Sequence, residues 1–188
     1  MKRLAAGLAL ALGLSGSALA QDFNAGYYGI DEVRGGIFAH SWDEVGPGGS
    51  LMDFSHISDV NVEVLFHPLP TADWFPGMIR PNVGATINFA GLESMVYGGV
   101  SWKVPLFHTP FFIEAGLGGS LNNGKSSGAV FPYRDLGCPT LFHEQITLGY
   151  DISSNFDVMF TAEHASSANF CSPNRGLSNM GIRVGWKF

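Results

Sequence analysis

His164 and Ser166 are separated by one residue in the run Glu163-His164-Ala165-Ser166, close to the C-terminal end of the chain. In an extended strand, residues i and i+2 share one face, roughly 6.5–7 Å apart. An imidazole and a hydroxyl can meet across that gap, the relation that general-base activation of a serine requires. A polar loop with Pro173, Asn174 and Gly176 follows, and the chain closes on the alternation Ile182, Val184, Trp186, Phe188. His-x-Ser alone is a weak pattern; its plain alternative is a histidine tolerated beside a serine at a polar boundary. The elements around the pair must decide.

The first twenty residues are expected to be a signal peptide rather than fold. Lys2 and Arg3 form a basic start, residues 4–14 are apolar, and Ala18-Leu19-Ala20 fits a small-x-small cleavage site. The mature domain is then 21–188, one domain by length. It carries 14% charged and 13% aromatic residues and 25 glycines, where soluble domains average about 25% charged. No later stretch approaches the ~18 unbroken apolar residues of a helical span. An exported, aromatic-rich, charge-poor chain of this kind is either a secreted β-sandwich or an outer-membrane β-barrel. The net charge of −6 speaks against a nucleic-acid partner.

Eight alternating segments can be marked: 31–40, 60–67, 79–89, 94–104, 111–119, 140–151, 155–165 and 178–188. Each is about 8–12 residues with period two, the length a tilted transmembrane strand needs. One face of most segments is purely aliphatic or aromatic. The other carries Arg34, Glu63, Arg80, Lys103, Glu114, Arg183 and Lys187. Greasy residues on one side and mixed charges on the other predict an all-β fold, an eight-stranded antiparallel transmembrane β-barrel. Its lumen would be filled by a paired polar network, and closure satisfies every strand edge in hydrocarbon. With both ends periplasmic, the connections 41–59, 90–93, 120–139 and 166–177 face the exterior. His164 and Ser166 then belong to the lipid-facing register near the outer rim.

The stretch His164-Ala-Ser166-Ser-Ala168, then Pro173-Asn174-x-Gly176, then an alternating strand to a terminal Phe188, resembles the end of the PagL-type lipid A 3-O-deacylases. That resemblance implies an eight-stranded barrel in the bacterial outer membrane. It also implies an ester hydrolase that removes the acyl chain at position 3 of lipid A with a Ser-His-Glu triad facing the outer leaflet, without a cofactor. The family's His-x-Ser maps onto His164 and Ser166, and its loop asparagine, implicated in oxyanion stabilisation, onto Asn174. Backbone amides near Ala168 and Asn169 would assist, and Arg175, with Lys125 and Arg134, would meet the phosphates of lipopolysaccharide, with plain solvated loop charges as the alternative. The end at Phe188 resembles the signal read by the barrel-assembly machinery.

Two positions depart from the family. Ser167 stands where an asparagine usually follows the serine, and Ser178 stands where the triad acid falls by spacing. Pairing the sixth and seventh segments across a turn at 152–154 sets Phe142 opposite His164 and Glu144 opposite Ala162. Glu144 is then diagonal to His164 on the lipid-facing side, ~7 Å or less away, and is the candidate replacement acid, with a rim carboxylate exposed to headgroup water as the alternative; Asn179 is a weaker candidate, neutral and inward. Cys138 and Cys171 both fall at the exterior end and predict a disulfide worth roughly 3–4 kcal/mol, with two free buried thiols as the alternative. His40, His56, His67, His108 and His143 show no metal-ligand spacing. The competing function is a non-catalytic outer-membrane barrel with a structural or adhesive role; a ligand-carrying barrel ranks below it.

Overall fold

The computed structural model describes residues 29–42 and 57–188; the expected signal peptide, His56 and most of the first long connection lie outside them. The strands are β1 (Ile30–Ala39), β2 (Ile57–Phe66), β3 (Met78–Asn88), β4 (Met95–Pro105), β5 (Phe111–Asn122), β6 (Thr140–Asp151), β7 (Phe156–Ser166) and β8 (Leu177–Lys187). They pair antiparallel in sequence order, and β1 closes on β8 to complete an eight-stranded barrel. Two strands exceed their expected limits by more than one residue. β2 begins at Ile57, and β5 continues to Asn122 because Leu121 and Asn122 still pair with Thr140 and Met95.

Alternation makes the two faces. Val62, Val83, Ile87, Val96, Leu117, Ile146, Phe160 and Ile182 stand exposed on the hull. Between them, pointing inward and fully enclosed, are Glu32, Arg34, Glu63, Glu114 and Arg183. These side chains are closed off from bulk solvent, so each charge must be met by another. Arg34 bonds Glu32 at 2.5 Å, Glu114 at 2.5 and 3.0 Å, and Glu63 at 3.2 Å. Arg80 reaches Glu32 at 2.6 Å and Glu114 at 3.0 Å, and Arg183 reaches Glu63 at 2.8 Å. Lys103 and Lys187 close the short-turn end on Asp151 and Asp157. Among the described residues no helix is long and apolar enough to cross a membrane.

Long connections crowd the opposite end. His40 lies buried there between Asp59, at 2.9 Å, and Glu93, at 3.3 Å. Burial would lower its pKa, but the hydrogen bonds it gives to both carboxylates outweigh that and hold it up at about 9. His143 stacks on Tyr97 with ring centroids 4.1 Å apart, and Asn179 donates to Glu163, its cross-strand neighbour on β7.

Candidate active site

β7 carries His164 and Ser166 on its outward face, in line with Val158, Phe160 and Ala162. Asp157, Met159, Thr161, Glu163 and Ala165 alternate inward and are buried. Both candidate residues are half-buried. The flanking register differs from the sequence expectation by two residues. Glu144 of β6 pairs directly with His164, and Phe142 pairs with Ser166. The cause is the turn: Asn155 belongs to it rather than to β7. There the Ser153 hydroxyl accepts from the amides of Asn155 and Phe156 at 3.3 and 3.1 Å, and the Asn155 side-chain amide donates to the Lys187 carbonyl at 3.0 Å. A shift of two preserves the face. Glu144 stays on the hull, moved from diagonal to lateral, a geometry with side-chain bases roughly 4.5–5.5 Å apart.

On its other side His164 pairs with Ser178 of β8. Its Nδ1 lies 2.8 Å from the hydroxyl of Ser178, a residue only 6% exposed. Among the described residues no hydrogen bond joins His164 to Ser166 or to Glu144. The other edge of the imidazole faces Gly176, whose φ is +65°. A Cβ at that position would stand 2.8 Å from His164 Cε1 and 3.3 Å from Nε2, so only glycine lets the loop close over the ring.

A groove of about 500 Å³ runs along the hull here, lined by Trp42, Glu144, Ile146, Ala162, His164 and Ser178 among others. Trp42 was not anticipated as a site residue. Alternation from Phe38 and His40 points it inward, but Ser41 adopts φ +49° and breaks the alternation. The Trp42 amide then donates to the Ser178 carbonyl at 3.1 Å, extending the β1–β8 ladder.

Above β7 the loop 167–176 turns sharply, with Ala168 and Asn169 at φ +48° and +67°. Asn174 accepts from the Ser167 amide through its side-chain oxygen at 3.1 Å, which directs that side chain back toward the start of the loop. Ala168, Asn169 and Arg175 are exposed. Several contacts bind the loop to its neighbour, 123–139. Cys138 and Cys171 form the expected disulfide, Cα atoms 5.9 Å apart. The Arg175 amide donates to the Asp135 carbonyl at 3.0 Å, and Arg134 donates to the Gly176 carbonyl at 2.7 Å. Arg134 is therefore not the exterior phosphate ligand the sequence suggested. It is 3% exposed, its own amide is held by Glu93 at 2.7 Å, and it braces the loop. Lys125 is exposed, 5.2 Å from the centre of the Tyr133 ring. Among the described residues no cluster of three or more His, Cys, Asp or Glu side chains could hold a metal ion.

A closed barrel with a greasy hull and a charge-filled lumen is an outer-membrane β-barrel, and solved structures of that class share its shape. The outer membrane enzyme PagL superposes with a TM-score of 0.56 at 19% identity, covering 84% of this chain and 99% of that one. The N-terminal β-barrel domain of Pseudomonas aeruginosa OprF gives 0.55 at 8% identity, covering 85% and 98%. The Yersinia pestis outer membrane protein Ail gives 0.50 at 12% identity, covering 85% and 99%. At such identities these likenesses speak for the fold alone. The sequence carries the rest: residues 58–187 match the family model of lipid A 3-O-deacylase (PagL), and the chain belongs to that family. No curated protein matches the sequence. Family and fold together support a lipid A deacylase in the outer membrane.

Proposed function

We propose that this protein is a serine-type esterase that removes the ester-linked 3-position acyl chain of lipid A at the lipid-facing outer rim, on the outer-leaflet side. The observation that supports this most is the shared outward face of His164 and Ser166 on β7, in a chain of the deacylase family. His164 takes the Ser166 proton while Ser166 Oγ attacks the acyl carbonyl. The Asn174 side-chain amide and the backbone amides at Ala168 and Asn169 receive the developing oxyanion. Collapse of the tetrahedral intermediate breaks the ester C–O bond, and His164 returns its proton to the departing sugar hydroxyl. Water, deprotonated by His164, then cleaves the acyl-serine and frees the fatty acid. Glu144 is the carboxylate that accompanies the imidazolium, and Arg175 and Lys125 reach the lipid A phosphates. No cofactor enters the scheme. The strand ending at Phe188 is the segment by which the barrel-assembly machinery takes up the chain.

The test is the mass of lipid A extracted from a Gram-negative host. Wild-type protein is expected to remove one hydroxyacyl chain and Ser166→Ala to remove none. Ser178 at the position of the family's acid favours one other reading, a structural or adhesive barrel without activity. Under that reading wild-type protein leaves lipid A intact.

A further inference from the structure

We infer that Ser178 and Glu144 divide between them the work of a single triad acid: Ser178 positions the imidazole and Glu144 supplies the negative charge. The inference rests on Ser166 and His164 being the reactive pair. A histidine can accept a serine proton through Nε2 only if its proton sits on Nδ1, and the partner of Nδ1 sets that tautomer. Here Nδ1 is 2.8 Å from the Ser178 hydroxyl, on a strand in direct register with His164. Ser178 is 6% exposed, so solvent competes little for this bond. An oxygen that accepts Nδ1–H leaves Nε2 bare and fixes the ring plane.

A hydroxyl brings no charge to the imidazolium formed when Ser166 gives up its proton. Glu144 stands opposite His164 on the other flank, exposed, and lines the same groove as His164 and Ser178. It makes no hydrogen bond to the ring among the described residues, so its contribution is through space. Next to hydrocarbon that contribution is screened less than at a watery surface. The neighbouring carboxylate on β7, Glu163, points into the lumen and is held by Asn179. The imidazole is thus clasped from two strands, by a hydroxyl on β8 and by a carboxylate on β6.

The experiment measures turnover of purified, folded protein in vesicles of phospholipid and 3-O-acylated lipid A, alongside the 15N shifts of the histidine ring. Ser178→Ala is expected to lower kcat about tenfold, the scale of one hydrogen bond, and to mix the His164 tautomers. Ser178→Thr keeps the hydroxyl and should stay near wild type. Ser178→Val, with the shape of threonine but no hydroxyl, should behave like Ser178→Ala, and the Thr/Val pair decides the matter if the alanine variant does not fold. Glu144→Gln should lower kcat about 100-fold, from a charge at ~6 Å in an effective dielectric of ~20, while leaving the tautomer alone. Adding Ser178→Glu to Glu144→Gln should restore most of that loss. Equal rates and tautomers for Thr and Val at 178 would overturn the positioning role, and an unchanged Glu144→Gln rate would overturn the charge role. Undiminished activity in Ser166→Ala sinks instead the reading on which both depend.

Discussion

Arg34 and His164 lie on opposite faces of one barrel wall, in surroundings that differ in kind. Arg34 is fully buried and contacts three carboxylates, Glu32, Glu63 and Glu114, at 2.5–3.2 Å. His164 is half-buried on a face otherwise given to Phe160, Ala162 and Ile146, with one hydroxyl as its hydrogen-bond partner and one carboxylate beside it. The lumen holds charge because charge there is matched, and its members brace eight strands from within. The hull gains nothing in stability from a histidine, a serine and a glutamate in a lipid-facing row. Polar groups kept where burial disfavours them, loosely paired and beside a groove, are what a site for chemistry on a membrane lipid requires.

If the two faces differ in this way, substitutions in the lumen should cost stability and those at the hull site should cost activity. Arg34→Met takes one cation from three buried carboxylates, leaving Glu32 and Glu114 to Arg80 and Glu63 to Arg183, and is expected to destabilise the barrel by about 3–5 kcal/mol, read from urea unfolding in detergent micelles. Reducing Cys138–Cys171, or replacing both with serine, tests the loops above the hull site. By loop entropy the change is roughly 3–4 kcal/mol. It should appear as protease cleavage within 123–139 and 167–176, with the barrel below intact. Gly176→Ala sharpens the contrast, because its Cβ meets His164 Cε1 at 2.8 Å and its φ is +65°. About 1–2 kcal/mol of backbone strain is expected, together with a disproportionate fall in turnover; a fall in stability alone would make the contact incidental.

His40 tests the same brace through pH, since its folded pKa of about 9 lies above the ordinary 6.5. A raised pKa means that its protonated form is favoured by folding. The contribution is whole below pH ~6.5 and is lost as pH rises through about 9. Because His40 bonds Glu93, which holds the Arg134 amide, the loop braced on Gly176 should become more protease-sensitive between pH 7 and 10. His40→Gln should remove that pH dependence.

Much of the fold was legible because one physical rule, period two with charges on one face, repeats along most strands. Parity survived even where register did not. The 152–155 turn is longer than a count of apolar residues suggests, since Ser153 caps two amides, yet Glu144 stayed on the hull. What could not be read depended on single backbone torsions or distant partners. Ser41 at φ +49° sends Trp42 to the hull against its alternation, and Arg134 is buried by contacts from Glu93 and Gly176, 41 and 42 residues away in sequence. Ser178 read as the lack of an acid. Only the register that sets it against His164 reveals it as a partner.

The most direct trial of the central claim uses folded, purified barrel in vesicles of phospholipid and 3-O-acylated lipid A, with released fatty acid weighed by mass spectrometry. Wild-type protein is predicted to liberate the 3-position acyl chain, and Ser166→Ala to fall by roughly 10⁴-fold or more while folding normally. Equal release by the two proteins, or no release by a wild-type barrel that is demonstrably folded, would contradict the account.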